Sequence, residues 1–324
     1  FGSRLLRLAA TAQLIRPAIR SRLPNFAARM LQLKNRASRL CMDVFVDENQ
    51  GDGRQCGVWR DNDDDNQRWF MKPAGGGLFY FQNAETKYVL DCYVDDEYNG
   101  DGRKVGAWPE NGGDNQLWYL DSAEDGWMSI INKATDLALD VDMESSVGEN
   151  GHGKQLICWP RNGEANQEWG WGKCVMIRNL ATGMVLDCFV SEGRDGAGMS
   201  VGVWERSGDE NQKWKIRPCG NGAFFLKNKE EGDMVLDEFV GSDYDGRGGK
   251  LVGAYSKSGD DNQQWTLEPA CERGFYLLKN VASGQVLDAD LSSSVGEGGL
   301  GKQAITWECT GERNQMWTFV FDDV

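Results

Sequence analysis

Histidine is nearly absent from this chain of 324 residues: His152 stands alone, beside only seven prolines. One imidazole removes most Ser-His and Cys-His catalytic arrangements, and no GxSxG, HExxH or phosphate-loop motif is present, so the chain is expected not to be an enzyme. With 50 Asp and Glu, two carboxylates within reach of each other would mean nothing by themselves. The nine cysteines include no CxxC pair, which together with the lone histidine argues against a zinc site of the usual kind. No apolar run approaches the ~18 residues of a membrane span. A formal net charge of −15 leaves a surface that repels nucleic acid and anionic membrane.

What the chain does have is repetition. Asn-Gln-x-Trp recurs six times, ending at Trp69, Trp118, Trp169, Trp214, Trp265 and Trp317, at intervals of 49, 51, 45, 51 and 52 residues. An aromatic lies eight residues before each Gln, at Trp59, Trp108, Trp159, Trp204, Tyr255 and Trp307. Further upstream an aspartate closes a short apolar run: Asp43, Asp91, Asp140, Asp187, Asp237 and Asp288. Its distance to the aromatic varies from 16 to 19 residues. A rigid segment joined to an elastic one is what a hairpin plus a surface loop produces. The third and sixth repeats, "SSVGENGHGKQLICW" and "SSVGEGGLGKQAITW", resemble each other more than their neighbours, so the order is ABC-ABC.

Runs such as "MVLDCFV", "FYLLKNV" and "KLVGAYS", bounded by Gly, Asn, Asp and Ser, read as short strands. One repeat of about four such strands cannot bury its own apolar face, so three must close around a shared core. The expected class is all-β: residues 31–173 and 174–324 each form one threefold, barrel-like domain, after a basic, partly helical extension at 1–30.

Six QxW motifs in register with six LD motifs resemble the ricin B-type lectin β-trefoil family over about nine tenths of the chain. The resemblance implies two tandem β-trefoils whose Trp fills the barrel base and whose Gln bonds loop backbone. It also implies a non-enzymatic sugar-binding protein. The sugar would be held by the LD aspartate, the aromatic and the Asn before the Gln. Carried over residue by residue, the sites are Asp43, Trp59 and Asn66; Asp91, Trp108 and Asn115; Asp140, Trp159 and Asn166; Asp187, Trp204 and Asn211; Asp237, Tyr255 and Asn262; and Asp288, Trp307 and Asn314. A carboxylate accepts from neighbouring hydroxyls, an aromatic face packs on pyranose C–H groups, and an amide adds a directional bond. The same Asp and Asn also suit turns that bond their own backbone.

Three departures from the family pattern stand out. Two positions before the aromatic, where the family often carries a polar residue, stand Gly57, Gly106, Ile157, Gly202, Gly253 and Ile305. Two residues after the Asp stand the rings Phe45, Tyr93, Phe189 and Phe239, but Asp142 and Asp290 in the third and sixth repeats. The third and sixth pockets are therefore expected to be open and the others partly plugged. The Asp-to-aromatic loops also carry inserts, "NQGDGR", "YNGDGR" and "YDGRGG". These place oxygen donors beside glycines, as a Ca²⁺ loop does, yet none follows the EF-hand ligand order and Asp-Gly is itself a turn signal. No cofactor is expected, with calcium the alternative.

The family's usual disulfide scheme is broken, since Cys41 would face Asp61 and Cys309 would face Val286. Residues 1–42 hold nine basic side chains and no acidic one. This opening looks like an organelle transit peptide, against the extracellular location that a lectin implies. Two functions are therefore carried forward. One is a multivalent lectin whose partners are glycans or glycoproteins. The other is a scaffold subunit that docks a protein partner, or another copy of itself, through the basic arm and the acidic trefoil faces.

Overall fold

The computed structural model describes residues 31–321 apart from 51, 124–126, 172–173, 194–197, 221, 231, 245 and 273. The basic extension at 1–30, with its expected helical character and docking role, lies outside the described residues. The described residues form strands, turns, short 3-10 helices and irregular loops, in two sheets of twelve strands each, the first from Lys34–Asn35 to Trp169–Gly170 and the second from Val175–Asn179 to Trp317–Phe321.

Threefold closure is visible in how the repeats pair. In the first sheet, Gly53–Trp59, Gly102–Trp108 and Gly153–Trp159 pair with one another in all three combinations, a triangle that closes one end of a barrel. Met199–Trp204, Lys250–Ser256 and Gly301–Trp307 repeat the triangle in the second. These are the two tandem β-trefoils expected from the ABC-ABC order.

The six motif tryptophans are at most 1% exposed. Each indole Nε1 donates to the backbone carbonyl just before the LD aspartate at 2.8–3.1 Å, so the large apolar ring enters the core without an orphaned polar atom. Each motif Asn-Gln sits in a single 3-10 turn. The Gln Nε2 donates at 2.7–3.0 Å to the carbonyl following the pocket aromatic. Its Oε1 accepts a loop N–H at 2.7–3.1 Å.

A further sixfold element escapes the motif reading. Buried Asn35, Asn83, Asn132, Asn179, Asn228 and Asn280 each donate Nδ2 to the carbonyl of a motif Asn at 2.7–2.8 Å. The acceptor always belongs to the preceding repeat, and the series is cyclic: Asn35 bonds Asn166 and Asn179 bonds Asn314. Each trefoil is thereby fastened shut, first repeat to third. The signal is present in sequence as an Asn eight residues before the LD aspartate, nine in the fifth repeat.

No disulfide joins cysteines among the described residues. Cys56, Cys92, Cys158 and Cys188 sit in the cores as small apolar side chains.

Candidate functional site

The Asp and Asn of each expected triad meet in every repeat. Asn Nδ2 donates to Asp Oδ1 at 2.7–2.9 Å. The neighbouring Gln Nε2 donates to Oδ2 of the same carboxylate at 2.8–3.0 Å. The six carboxylates are 1–5% exposed. Each oxygen has accepted one amide and retains a further lone pair for a ligand hydroxyl. Burial pushes all six pKa values up against the pull of the Gln and Asn amides, to about 6 for Asp43 and Asp140. Gln is thus more than a loop fastener, because it also orients the candidate ligand-binding carboxylate.

The aromatics are placed by their neighbours. A Cβ added to Gly53 would lie 2.4 Å from the Trp108 ring, one on Gly102 2.5 Å from Trp159, and one on Gly153 2.8 Å from Trp59. In the second trefoil Gly198, Gly249 and Gly301 stand in the same way against Tyr255, Trp307 and Trp204. Each ring is therefore backed by the hairpin of the preceding repeat, and at every position but Gly198, where the contact is 3.1 Å, only glycine leaves room for it.

The departures at the position two before the aromatic and the position two after the Asp have one explanation. A Cβ on Gly57, Gly106, Gly202 or Gly253 would fall 2.5–2.7 Å from the ring of Phe45, Tyr93, Phe189 or Phe239. Each ring lies over a glycine, filling the space that a side chain would take. Three of them stand edge-on to the pocket tryptophan: Phe45–Trp59 at 6.1 Å, Tyr93–Trp108 at 6.2 Å and Phe189–Trp204 at 6.1 Å.

In the second repeat this ring walls a cavity of about 370 Å³ instead of plugging it. The lining is Asp91, Tyr93, Val94, Asp95, Asp96, Trp108, Asn111 and Asn115, which contains the whole expected triad of that repeat. The third and sixth repeats, expected to be the open ones, differ. Asp142 accepts the hydroxyl of Tyr98 and Asp290 that of Tyr244, each from the preceding repeat's insert. An insert residue therefore engages the position that lacks a ring of its own.

The inserts read as turns. Asn99 and Gly100 both have positive φ, 49° and 90°, as a two-residue hairpin turn requires. Asp96 is ion-paired to Lys104 at 3.0 Å. Among the described residues no group of three His, Cys, Asp or Glu is placed to hold a metal ion. The one histidine packs its ring 6.3 Å from Trp59. No helix among the described residues is long and apolar enough to cross a membrane.

Two family models match: the ricin-type β-trefoil lectin domain over residues 77–214, and the ricin-type β-trefoil lectin domain-like family over residues 25–100 and 261–323. The chain belongs to the ricin-type β-trefoil lectin family. Domains of this family bind glycans and are in general non-catalytic. Among solved structures, the designed threefold-symmetric protein ThreeFoil is 31% identical and covers 45% of this chain and 97% of its own, with a TM-score of 0.39. The hemolytic lectin CEL-III is 20% identical and covers 91% of this chain and 64% of its own, with a TM-score of 0.34. A non-toxic homologue of type II RIPs from Momordica charantia, in complex with α-methyl-D-galactoside, is 16% identical and covers 90% of this chain and 97% of its own, with a TM-score of 0.32. At such TM-scores the family membership rests on the matched models and the sixfold motif. No curated protein matches the chain.

Proposed function

We propose that this ricin-type lectin binds glycans through repeat-derived pockets, with the second repeat the principal one. The observation that carries this reading is the cavity of about 370 Å³ that holds Asp91, Trp108 and Asn115 together. That volume lies in the range of small-ligand sites, roughly 300–1,000 Å³. A pyranose would lay its C–H face on the free face of Trp108. Two of its hydroxyls would donate to the remaining lone pairs of Asp91, and Asn111 Nδ2 would donate to a ring or hydroxyl oxygen.

The other five triads share the Asp-Asn-Gln geometry and stand as further, weaker candidates, which makes the protein multivalent. The scaffold alternative, which rests on the basic arm and the acidic faces, would be favoured by Phe45 and its equivalents filling the pockets; Tyr93 in the same place lines a cavity. The test is a broad glycan array probed with the full chain and with Asp91→Ala. Retention of one glycan class by the wild type and its loss in the variant supports the reading; an empty array, or binding indifferent to Asp91, defeats it.

A further inference from the structure

Strand alternation should turn the residue three after each LD aspartate inward. In the second repeat Leu90 and Cys92 face the core at 0% exposure, and Val94 continues the same two-residue period. Yet Val94 is 39% exposed. The ladder breaks just before it: Tyr93 pairs with Lys104, and pairing resumes only at Glu97 with Arg103. Arg103 Nε donates to the Val94 carbonyl at 3.0 Å and Lys104 holds Asp96, so the bulge is fastened from the partner strand.

The same position is occupied by Val46, Met143, Val240 and Leu291, 38%, 42%, 53% and 51% exposed, and by Val190 in the fourth repeat. Five of the eight exposed large apolar residues among those described therefore sit at one place in the repeat. In the first, third and sixth repeats the register also breaks immediately before it. Single exposed apolar residues are ordinary, but five at one repeat position, with one of them lining the cavity, are not a random scatter.

We propose that this residue determines specificity, and that Val94 selects a pyranose carrying a methyl group, as in a 6-deoxy or a 2-acetamido sugar, over the plain hexose. The proposal rests on the sugar-binding reading above. Val94 is the sole aliphatic side chain in a lining otherwise made of carboxylates, amides and two aromatic rings. A hydroxyl set against it gives up water and finds no partner, whereas a methyl is buried with gain. The expected preference is about fourfold for one methyl, the ~0.8 kcal/mol of one buried CH₂.

The test is a titration of the full chain carrying ¹³C-methyl valine, with the Val94 signals assigned by their loss in Val94→Ser. The probes are a free hexose, its 6-deoxy form and its 2-acetamido form, none carrying a methyl aglycone. A methyl-bearing sugar should bind about fourfold or more tighter than the hexose and move the Val94 signals, and the preference should fall to about one in Val94→Ser. The melting temperature should be unchanged, because the side chain is outside the core. Which of the two methyl-bearing sugars wins locates the methyl on the ring. Equal affinities, a preference that survives Val94→Ser, or unmoved Val94 signals overturn the proposal while leaving sugar binding intact. Failure of all three sugars to bind overturns both.

Discussion

Stability and sugar affinity should move in opposite directions with pH. Asp43 and Asp140 are 1% and 2% exposed, and burial lifts each pKa from 3.8 to about 6 although two amides donate to each carboxylate. A carboxyl whose folded pKa exceeds its unfolded one binds more protons when folded, so its contribution to stability falls as pH rises from about 4 to about 6. At ~1.36 kcal/mol per pKa unit, a shift of about two units makes each site less stable at pH 7 than at pH 4 by on the order of 3 kcal/mol. Asp61, Asp136, Asp233 and Asp290, held below their usual range, act oppositely: the stability they add is lost only as pH falls below about 3.8. Urea unfolding followed by tryptophan fluorescence between about pH 4.5 and 6.5 therefore reports the buried carboxyls. The midpoint should rise as pH falls, and the slope should shrink in Asp43→Asn/Asp140→Asn, whose amides mimic the neutral acid. Sugar affinity should decline as pH falls, because burial raises the Asp91 pKa and protonation removes an acceptor. A stability that is flat or rises with pH in this window would refute the assignment of burial as the dominant cause.

Gly106→Ala places a Cβ 2.0 Å from the Tyr93 hydroxyl oxygen and 2.7 Å from the Arg54 carbonyl. It should cost about 1–3 kcal/mol and push the ring into the cavity, lowering both the melting temperature and sugar affinity. Tyr93→Phe removes a buried hydroxyl with no hydrogen-bond partner among the described residues, so stability should hold or rise in a thermal melt. Asn132→Ala deletes the 2.8 Å bond to the Asn115 carbonyl and frees the turn N–H groups of Ala134 and Thr135. A loss of about 1–3 kcal/mol is expected in urea unfolding, with weaker binding in the second repeat, because Asn115 loses its anchor.

Much of this fold is legible in the sequence because its parts recur at fixed distances. The eight residues from aromatic to Gln run from the end of a strand through a loop of constant length into a 3-10 turn, so the Trp-to-Trp period announces the trefoils directly. The clamping Asn series was legible too, but a single Asn before a turn looks like any turn residue until its acceptor is seen in the preceding repeat. The site was harder to read. That Tyr93 walls a cavity depends on how the paired strands of its own repeat set the ring against Trp108, and that Tyr98 reaches Asp142 depends on closure of the barrel across repeats. Val94 misleads outright, because its period matches the core and only the bulge turns it outward.

The most direct test of the central claim is a crystal structure of the full chain with the best glycan from the array. The account predicts a pyranose on Trp108 with hydroxyls within hydrogen-bond distance of Asp91 and an oxygen against Asn111. A glycan bound elsewhere, with the Asp91–Trp108 cavity vacant at saturating sugar, would contradict it.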